Sequence, residues 1–317
     1  MESTQRVTVL EGKKLGLWGI LKEALKIPFM NPNFIISSFI TSLPVFCSLF
    51  LYESLYVQTI TEAVNVLQTD QDHQDHQDLD RAFCFSWDHL KAVDMLLGRV
   101  SHNFVLLVIL HLGILHFFDL FNTITIVNSA SDIYAGDNVL TLKQMFIKHV
   151  MDTRIKGPLV TSIFVVLLTS LLSTGLISIA LYAYITYYYP LFMMLFVTMF
   201  VALLVQHVKW SAVWNMGTLI SILEYKEGNE ALLVSAYISR GNRLSGSLLM
   251  LVYVVWRLCL RLGYYFMAWN SRTSRVWISI VYVSLVCVAN GLKWVAFVVY
   301  FKECRKWSSV TQVSQSV

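Results

Sequence analysis

The sequence predicts an all-α membrane protein: a polytopic bundle of six transmembrane helices with short interfacial helices on its cytosolic face and both termini in the cytosol. Three observations predict it. Hydrophobic residues make up 56% of the 317 positions and charged residues only 14%, too apolar a balance for a water-soluble chain of this length. Several windows run for about 20 residues without an interrupting charge, the length a helix needs to cross a hydrocarbon core about 30 Å thick. Lys and Arg then gather in every second connection between those windows, and that alternation orients them.

Apolar length places the spans near 34–52, 104–127, 158–182, 190–208, 244–269 and 276–301. The stretch 211–223 is apolar enough either to prolong the fourth span or to lie on the surface after a break near Asn215 and Gly217. Sixteen Lys and Arg fall on the side of the termini and five on the other, leaving Arg257, Arg261 and Lys293 inside spans. Aromatic residues mark the interfaces, with Trp18 ahead of the first span, Trp269 and Trp277 about the fifth turn, and Trp307 past the end. No cleavable leader pattern precedes the first span, which is expected to serve as its own insertion signal. The whole chain, 1–317, reads as one integral membrane domain.

Three amphipathic segments are predicted to lie on the cytosolic surface. In 15–27, Trp18, Leu21 and Leu25 form an apolar stripe flanked by Lys22, Glu23 and Lys26, closed by Pro28. In 140–154, Leu142, Met145, Phe146 and Val150 alternate with Lys143, Lys148 and Arg154, a basic face suited to anionic lipids. The third, 230–240, is expected to stop at Gly241. Trp18, Lys22, Lys26, Lys143, Lys148 and Arg154 are therefore the candidate surface for lipids or partners. On the opposite side, the loop 53–103 carries an Asp-His-Gln repeat over 70–80. His73 and His76 amid its carboxylates have the chemistry of a weak metal or pH-sensitive patch, but the composition is that of a flexible low-complexity insertion.

Charges inside the bilayer are the other candidates, since an unpaired one costs about 2.5–3.5 kcal/mol even on an insertion scale. Asp119 in the second span and Lys293 in the sixth each lie about 12 Å from the cytosolic end at 1.5 Å per residue, a depth that allows an ion pair. Such a pair would be a gate, or simply a clamp between helices; snorkelling of Lys293 is a third outcome. Arg257 and Arg261, one turn apart, share a face of the fifth span. They could line an anion path, or Arg261 could reach lipid phosphates or Glu53. His116 and Asp119 are spaced to share a hydrogen bond, whereas His111 and His116 fall on different faces of an α-helix.

Nothing announces a reaction. Gly-rich phosphate loops, GxSxG and HExxH are absent, so no catalytic residue, cofactor, metal or nucleic-acid partner is called for. Of the five cysteines, only Cys84 lies in a sizeable loop, no disulfide framework is expected, and juxtamembrane Cys304 is an ordinary thiol or an acylation site.

Several segments together resemble a plant family of six-pass transmembrane proteins with no established activity. Gly19-Ile20-Leu21-Lys22-Glu23-Ala24-Leu25-Lys26-Ile27 is similar to that family's G-I-x-K-E-A-x-K-I helix. Thr123–Gly136, ending Ile133-Tyr134-Ala135-Gly136, resembles its V-Y-T-V-A-x-I-Y-T-G stretch. Trp214–Glu224, with Ser221-Ile222-Leu223-Glu224, is similar to its V-S-V-L-E segment before a short helix, here ending Ser239-Arg240-Gly241. Order and spacing agree over about residues 15–305; the Asp-His-Gln repeat and the short Ser-rich tail after Trp307 are departures. The resemblance implies cytosolic termini and residence in the endoplasmic reticulum or another endomembrane rather than the plasma membrane, and it supplies no catalytic residues. The expected role is non-enzymatic, organising lipids or other membrane proteins; the alternative is a transporter or channel using Asp119, Lys293, Arg257 and Arg261.

Overall fold

The computed structural model describes residues 16–74, 105–136, 155–186, 189–270 and 275–315, all helix and turn with no strand among them. Eight helices can be labelled in chain order: α1 Leu17–Met30, α2 Pro32–Gln74, α3 Val105–Ala135, α4 Lys156–Ile185, α5 Pro190–Leu223, α6 Gly228–Ile238, α7 Arg243–Asn270 and α8 Arg275–Gln315. Six stretches are long and apolar enough to cross a membrane, as the hydropathy pattern predicts. In hydrocarbon every backbone N–H and C=O must bond within the segment, so apolar length translates directly into helix.

Prolines set several boundaries. Asn31 is held extended at φ −140 ahead of Pro32, which ends α1, and its side chain accepts the Asn33 N–H at 3.0 Å to start α2. The first helix thus closes at Asn31, and Pro28, expected to stop it, lies in its last turn. Pro190 opens α5 after an extended Tyr189. Pro44 stays inside α2, where the Ser48 hydroxyl donates back to the Pro44 carbonyl at 2.8 Å.

Helices outrun their apolar stretches. The helix of the first span, α2, extends to Gln74 through 43 residues, so the start of the Asp-His-Gln repeat continues it rather than forming a loop; Ala63, Leu67 and Gln68 carry the helix on with no Gly or Pro to stop it. The rest of the repeat, 75–80, lies outside the described residues. The helix of the fourth span, α5, is continuous over 34 residues, so 211–223 prolongs it without a break. Gly217 is there for a different reason than hinging. A Cβ on it would stand 2.6 Å from Leu232 Cδ2, so its absence lets α6 lie directly on α5. Gly241 stops no helix either, because α6 passes through a 3₁₀ turn, Ser239–Asn242, straight into α7.

The chain divides into two compact units. The first comprises residues 1–40, 123–263 and 288–317. Its core is made of three segments buried nearly all round: Asn128 aside, 123–131 of α3; 216–222 of α5; and 294–301 of α8. Small hydroxyl residues knit these ends together. The Thr161 hydroxyl of α4 lies 3.0 Å from both the Gly157 carbonyl and Ser221 Oγ of α5, and accepts the Gly228 N–H at 2.8 Å. Ser235 of α6 donates to the Val213 carbonyl at 2.9 Å. A Cβ at Gly246 would fall 2.7 Å from the Tyr300 hydroxyl, which donates to the Asn242 carbonyl at 3.1 Å, so α7 and α8 touch through a ring laid on bare backbone.

The second unit comprises 41–122 and 264–287. Here Thr41 and Ser42 of α2 donate to Asn122 Oδ1 of α3 at 2.9 and 3.2 Å, and the Tyr52 and His111 rings meet at a tilt with centres 5.3 Å apart. Both contacts follow one antiparallel register between α2 and α3. Tyr264 of α7 and Tyr282 of α8 meet with ring centres 4.8 Å apart.

Candidate functional site

The first helix presents two apolar faces, and only one of them packs. Ile20, Ala24 and Ile27 are buried at 1%, 3% and 1% exposure, whereas Trp18 at 83% and Phe29 at 82% stand out with Leu25. The stripe that carries Trp18 and Leu25 is the outward one, and the packing face of Ile20, Ala24 and Ile27 is the one that the sequence reading did not single out. Amphipathic spacing alone does not separate the two, because both recur at helical period. Lys22 and Lys26 flank the outward stripe, and Lys26 Nζ pairs with Glu23 at 2.6 Å. Lys143, Lys148 and Arg154 lie outside the described residues.

Among the intramembrane candidates, Asp119 belongs to the second unit. It acts electrostatically on His116, one turn earlier on α3. Leu110–Leu115 is a π-helical turn, and the His116 N–H reaches back to the His111 carbonyl. The wider turn sets residues five apart nearly above one another, so His111 and His116 come onto one side of α3, contrary to the α-helical expectation. Within the described residues no three His, Cys, Asp or Glu side chains are grouped as a metal ion requires.

Arg257, Arg261 and Lys293 fall in the first unit. On α7 the exposed face is made of Leu251, Val255, Leu258 and Leu262, while Tyr253, Arg257 and Arg261 share the opposite, partly buried face. Lys293 of α8 aligns with buried Phe297 and Tyr300, and its Nζ lies 4.2 Å from the Trp294 ring centre and 5.1 Å from that of Tyr253. All three cations thus turn away from the apolar face of their helices, as charges inside a bilayer must. Ile126 Cδ1 stands 3.7 Å from where a Gly291 Cβ would be, which places Lys293 near the level of Asn128 on α3.

Sequence reading passed over three residues that matter locally. Trp294 was one aromatic among many, yet it is 5% exposed and its indole N–H has no hydrogen-bond partner among the described residues. Glu303, 5% exposed, accepts the Trp307 N–H at 2.8 Å, so Trp307 is tied down as well as interfacial. Arg305 pairs with Glu224 at 3.2 Å, joining α8 to the end of α5. The legible signal was a carboxylate four residues before a Trp at a helix end. Cys304 is 3% exposed, its thiol packed within the first unit.

Long apolar helices whose exposed faces are apolar and whose charges turn inward define an integral, polytopic helical membrane protein. Residues 8–309 match the family model described as Domain of unknown function (DUF8558), and the chain belongs to that family. No curated protein and no solved structure matches it.

Proposed function

We propose that this protein is a non-enzymatic membrane organiser of plant type, resident in the endoplasmic reticulum or another endomembrane, that gathers lipids or other membrane proteins at its cytosolic face. The observation that carries the reading is the two-faced α1. One face is fastened to the first unit through Ile20, Ala24 and Ile27; the other offers Trp18, Leu25 and Phe29 beside Lys22 and Lys26. A helix fastened on one side holds its outward stripe at a set height, where aromatic residues enter the headgroup boundary and lysines meet anionic lipid. The excess of Lys and Arg on the side of the termini supports placing that face in the cytosol.

Replacing Lys22, Lys26, Lys143, Lys148 and Arg154 together by Gln, in the full chain in its native cell, tests the reading. Proximity labelling should lose neighbours, and the purified variant should carry less anionic lipid. An unchanged neighbour set with unchanged bound lipid would overturn it.

A second reading, passage of a small solute or ion, is favoured by one observation: the cationic stripe on the partly buried face of α7. Flux through proteoliposomes tests it, and flux unaltered by R257Q would sink it.

A further inference from the structure

We propose that Arg240 and Arg243, at the junction of α6 and α7, form a headgroup site for a phospholipid that ends in a phosphomonoester. The site rests on the lipid-gathering reading and gives it a lipid class. Backbone geometry makes the pair. Ser239–Asn242 is a 3₁₀ turn, in which side chains at i and i+3 stand one above the other, and Arg243 continues it with helical backbone at φ −55 and ψ −36. Arg240 and Arg243 are three apart, and both are exposed. Arg240 has no hydrogen bond or ion pair with any described residue. Arg243 donates to the Ala236 carbonyl at 3.5 Å, a bond that uses one of its several N–H donors. No Asp or Glu occurs between Glu230 and Glu303. The carboxylates on either side are engaged elsewhere: Glu230 pairs with Lys226 at 3.0 Å, Glu224 with Arg305 at 3.2 Å, and Glu303 accepts the Trp307 N–H.

Two spans put this pair at the edge of the hydrocarbon. Leu232 lies against Gly217 and Ser235 donates to the Val213 carbonyl, so α6 runs antiparallel along α5. Continuing that register brings Arg240 to the level of Val208 and Lys209, where the apolar stretch 190–208 ends. On α7 itself, Leu244 is 74% exposed and opens the apolar stretch 244–269, long enough to cover a core about 30 Å thick at 1.5 Å per residue. The orientation of α6 agrees. Gly228, Ala231, Ser235 and Ser239 are its buried, fastened face, whereas Leu233, Tyr237, Arg240 and Leu244 recur on the other side and are all exposed. Apolar and aromatic residues thus bracket Arg240 along one outward stripe, and a stripe of this kind seats at the headgroup boundary, where its cations meet lipid phosphate.

Charge selects the headgroup. Two guanidiniums held side by side repel each other until an anion stands between them. Arg grips phosphate through parallel N–H···O bonds, and two such forks need an anion with charge and oxygens enough for both. A phosphomonoester, with about −1.5 to −2 charge near neutral pH and three terminal oxygens, meets that need, whereas a phosphodiester offers less of each. Phosphatidic acid carries such a group and phosphatidylserine does not. Exposed Tyr237 and Leu244 beside the pair give acyl chains a contact that dissolved phosphate lacks, so a lipid is the ligand.

The test uses the full chain purified in detergent, with phosphatidic acid, phosphatidylserine and phosphatidylcholine titrated separately and bound lipid counted by native mass spectrometry. The natural chain should hold phosphatidic acid at least about tenfold more tightly than phosphatidylserine, as expected for an added charge-assisted bond. R240Q should weaken phosphatidic acid at least about tenfold, and R240Q/R243Q should bring it to the level of phosphatidylserine. R240K/R243K, which keeps the charges and loses the forks, should fall between. R243Q also removes the bond to Ala236, and Tm without added lipid reports any loosening; R240Q breaks no bond among the described residues and decides the matter alone. Equal retention of phosphatidic acid by the natural chain and R240Q/R243Q would overturn the site. Equal retention of phosphatidic acid and phosphatidylserine by the natural chain would overturn the monoester assignment, and displacement of the lipid by an equal concentration of inorganic phosphate would overturn the lipid assignment. Lipid lost from the Lys22, Lys26, Lys143, Lys148 and Arg154 variant but not from R240Q/R243Q would leave the organiser reading standing without this site. The reverse pattern would keep the site and remove α1 as the lipid-gathering face.

Discussion

The fourth and eighth helices reverse the relation between apolarity and burial that water imposes. The most apolar window of α4 is 0% buried within the protein, whereas that of α8, less apolar, is 50% buried. Lipid explains the reversal: hydrocarbon chains are as apolar as Leu, so no hydrophobic force drives α4 into the protein, and the most lipophilic sequence can stay outside. What holds helices together is then close packing and hydrogen bonding. Trp294, Phe297, Tyr300 and Phe301 interlock in the first unit, and the Gly246 backbone receives Tyr300 directly. Hydroxyls make the same distinction. Thr161, at the packed end of α4, binds Ser221 and Gly228 of other elements, while Ser170, Thr174 and Ser178 along its exposed length donate to the Leu167, Ser170 and Thr174 carbonyls of their own helix. A Ser or Thr that satisfies itself this way can face lipid without cost.

The contrast can be broken by substitution. Phe297→Ala, at a 0% exposed position against the Trp294 and Tyr300 rings, should lose about 3 kcal/mol, the low end for a buried aromatic because the lipid reference removes part of the transfer term. Equilibrium unfolding in nanodiscs measures it, and a loss under about 1 kcal/mol would mean that this segment is not a close-packed core. Leu171, 71% exposed on α4, sharpens the other side. Leu171→Lys should cost about 2.5–3.5 kcal/mol of insertion free energy if the face meets hydrocarbon. Leu171→Ala should instead change stability by no more than about 0.5 kcal/mol. Equal losses for the Ala variants at 171 and 297 would show the α4 face covered by another protein. The smallest effect belongs to Arg305→Gln, whose pair with Glu224 is largely open to water on the Arg side and should contribute at most about 1 kcal/mol, read as a small Tm decrease that salt diminishes.

Much of this architecture was legible because the bilayer enforces it. Apolar length predicted the six crossing helices, and the intramembrane positions of Arg257, Arg261, Lys293 and Asp119 followed from the same scan. Less legible was where helices end. Apolar length marks the hydrocarbon boundary, but α2 and α5 run on past it because helical backbone is stable until Gly, Pro or a cap intervenes. Gly217 looked like such a stop and turned out to be a contact point for Leu232, a role that depends on a helix distant in sequence. The π-helical turn at Leu110–Leu115 was also invisible, since His111-Leu112-Gly113 has no unique signature for an extra residue per turn.

By itself the sequence determined that the chain enters a membrane, how many times it can cross, and which charges are stranded between its ends, because those depend on summed transfer free energies along one strand of residues. Only the tertiary structure decided which face of each helix meets protein. Ile20, Ala24 and Ile27 were chosen over Trp18 and Phe29, and Trp294 was buried while its N–H kept no acceptor among the described residues. In lipid both faces of a helix are apolar, so periodicity cannot rank them. The choice rests on fit, on small residues that admit a neighbour's backbone, and on hydroxyls that find partners across helices.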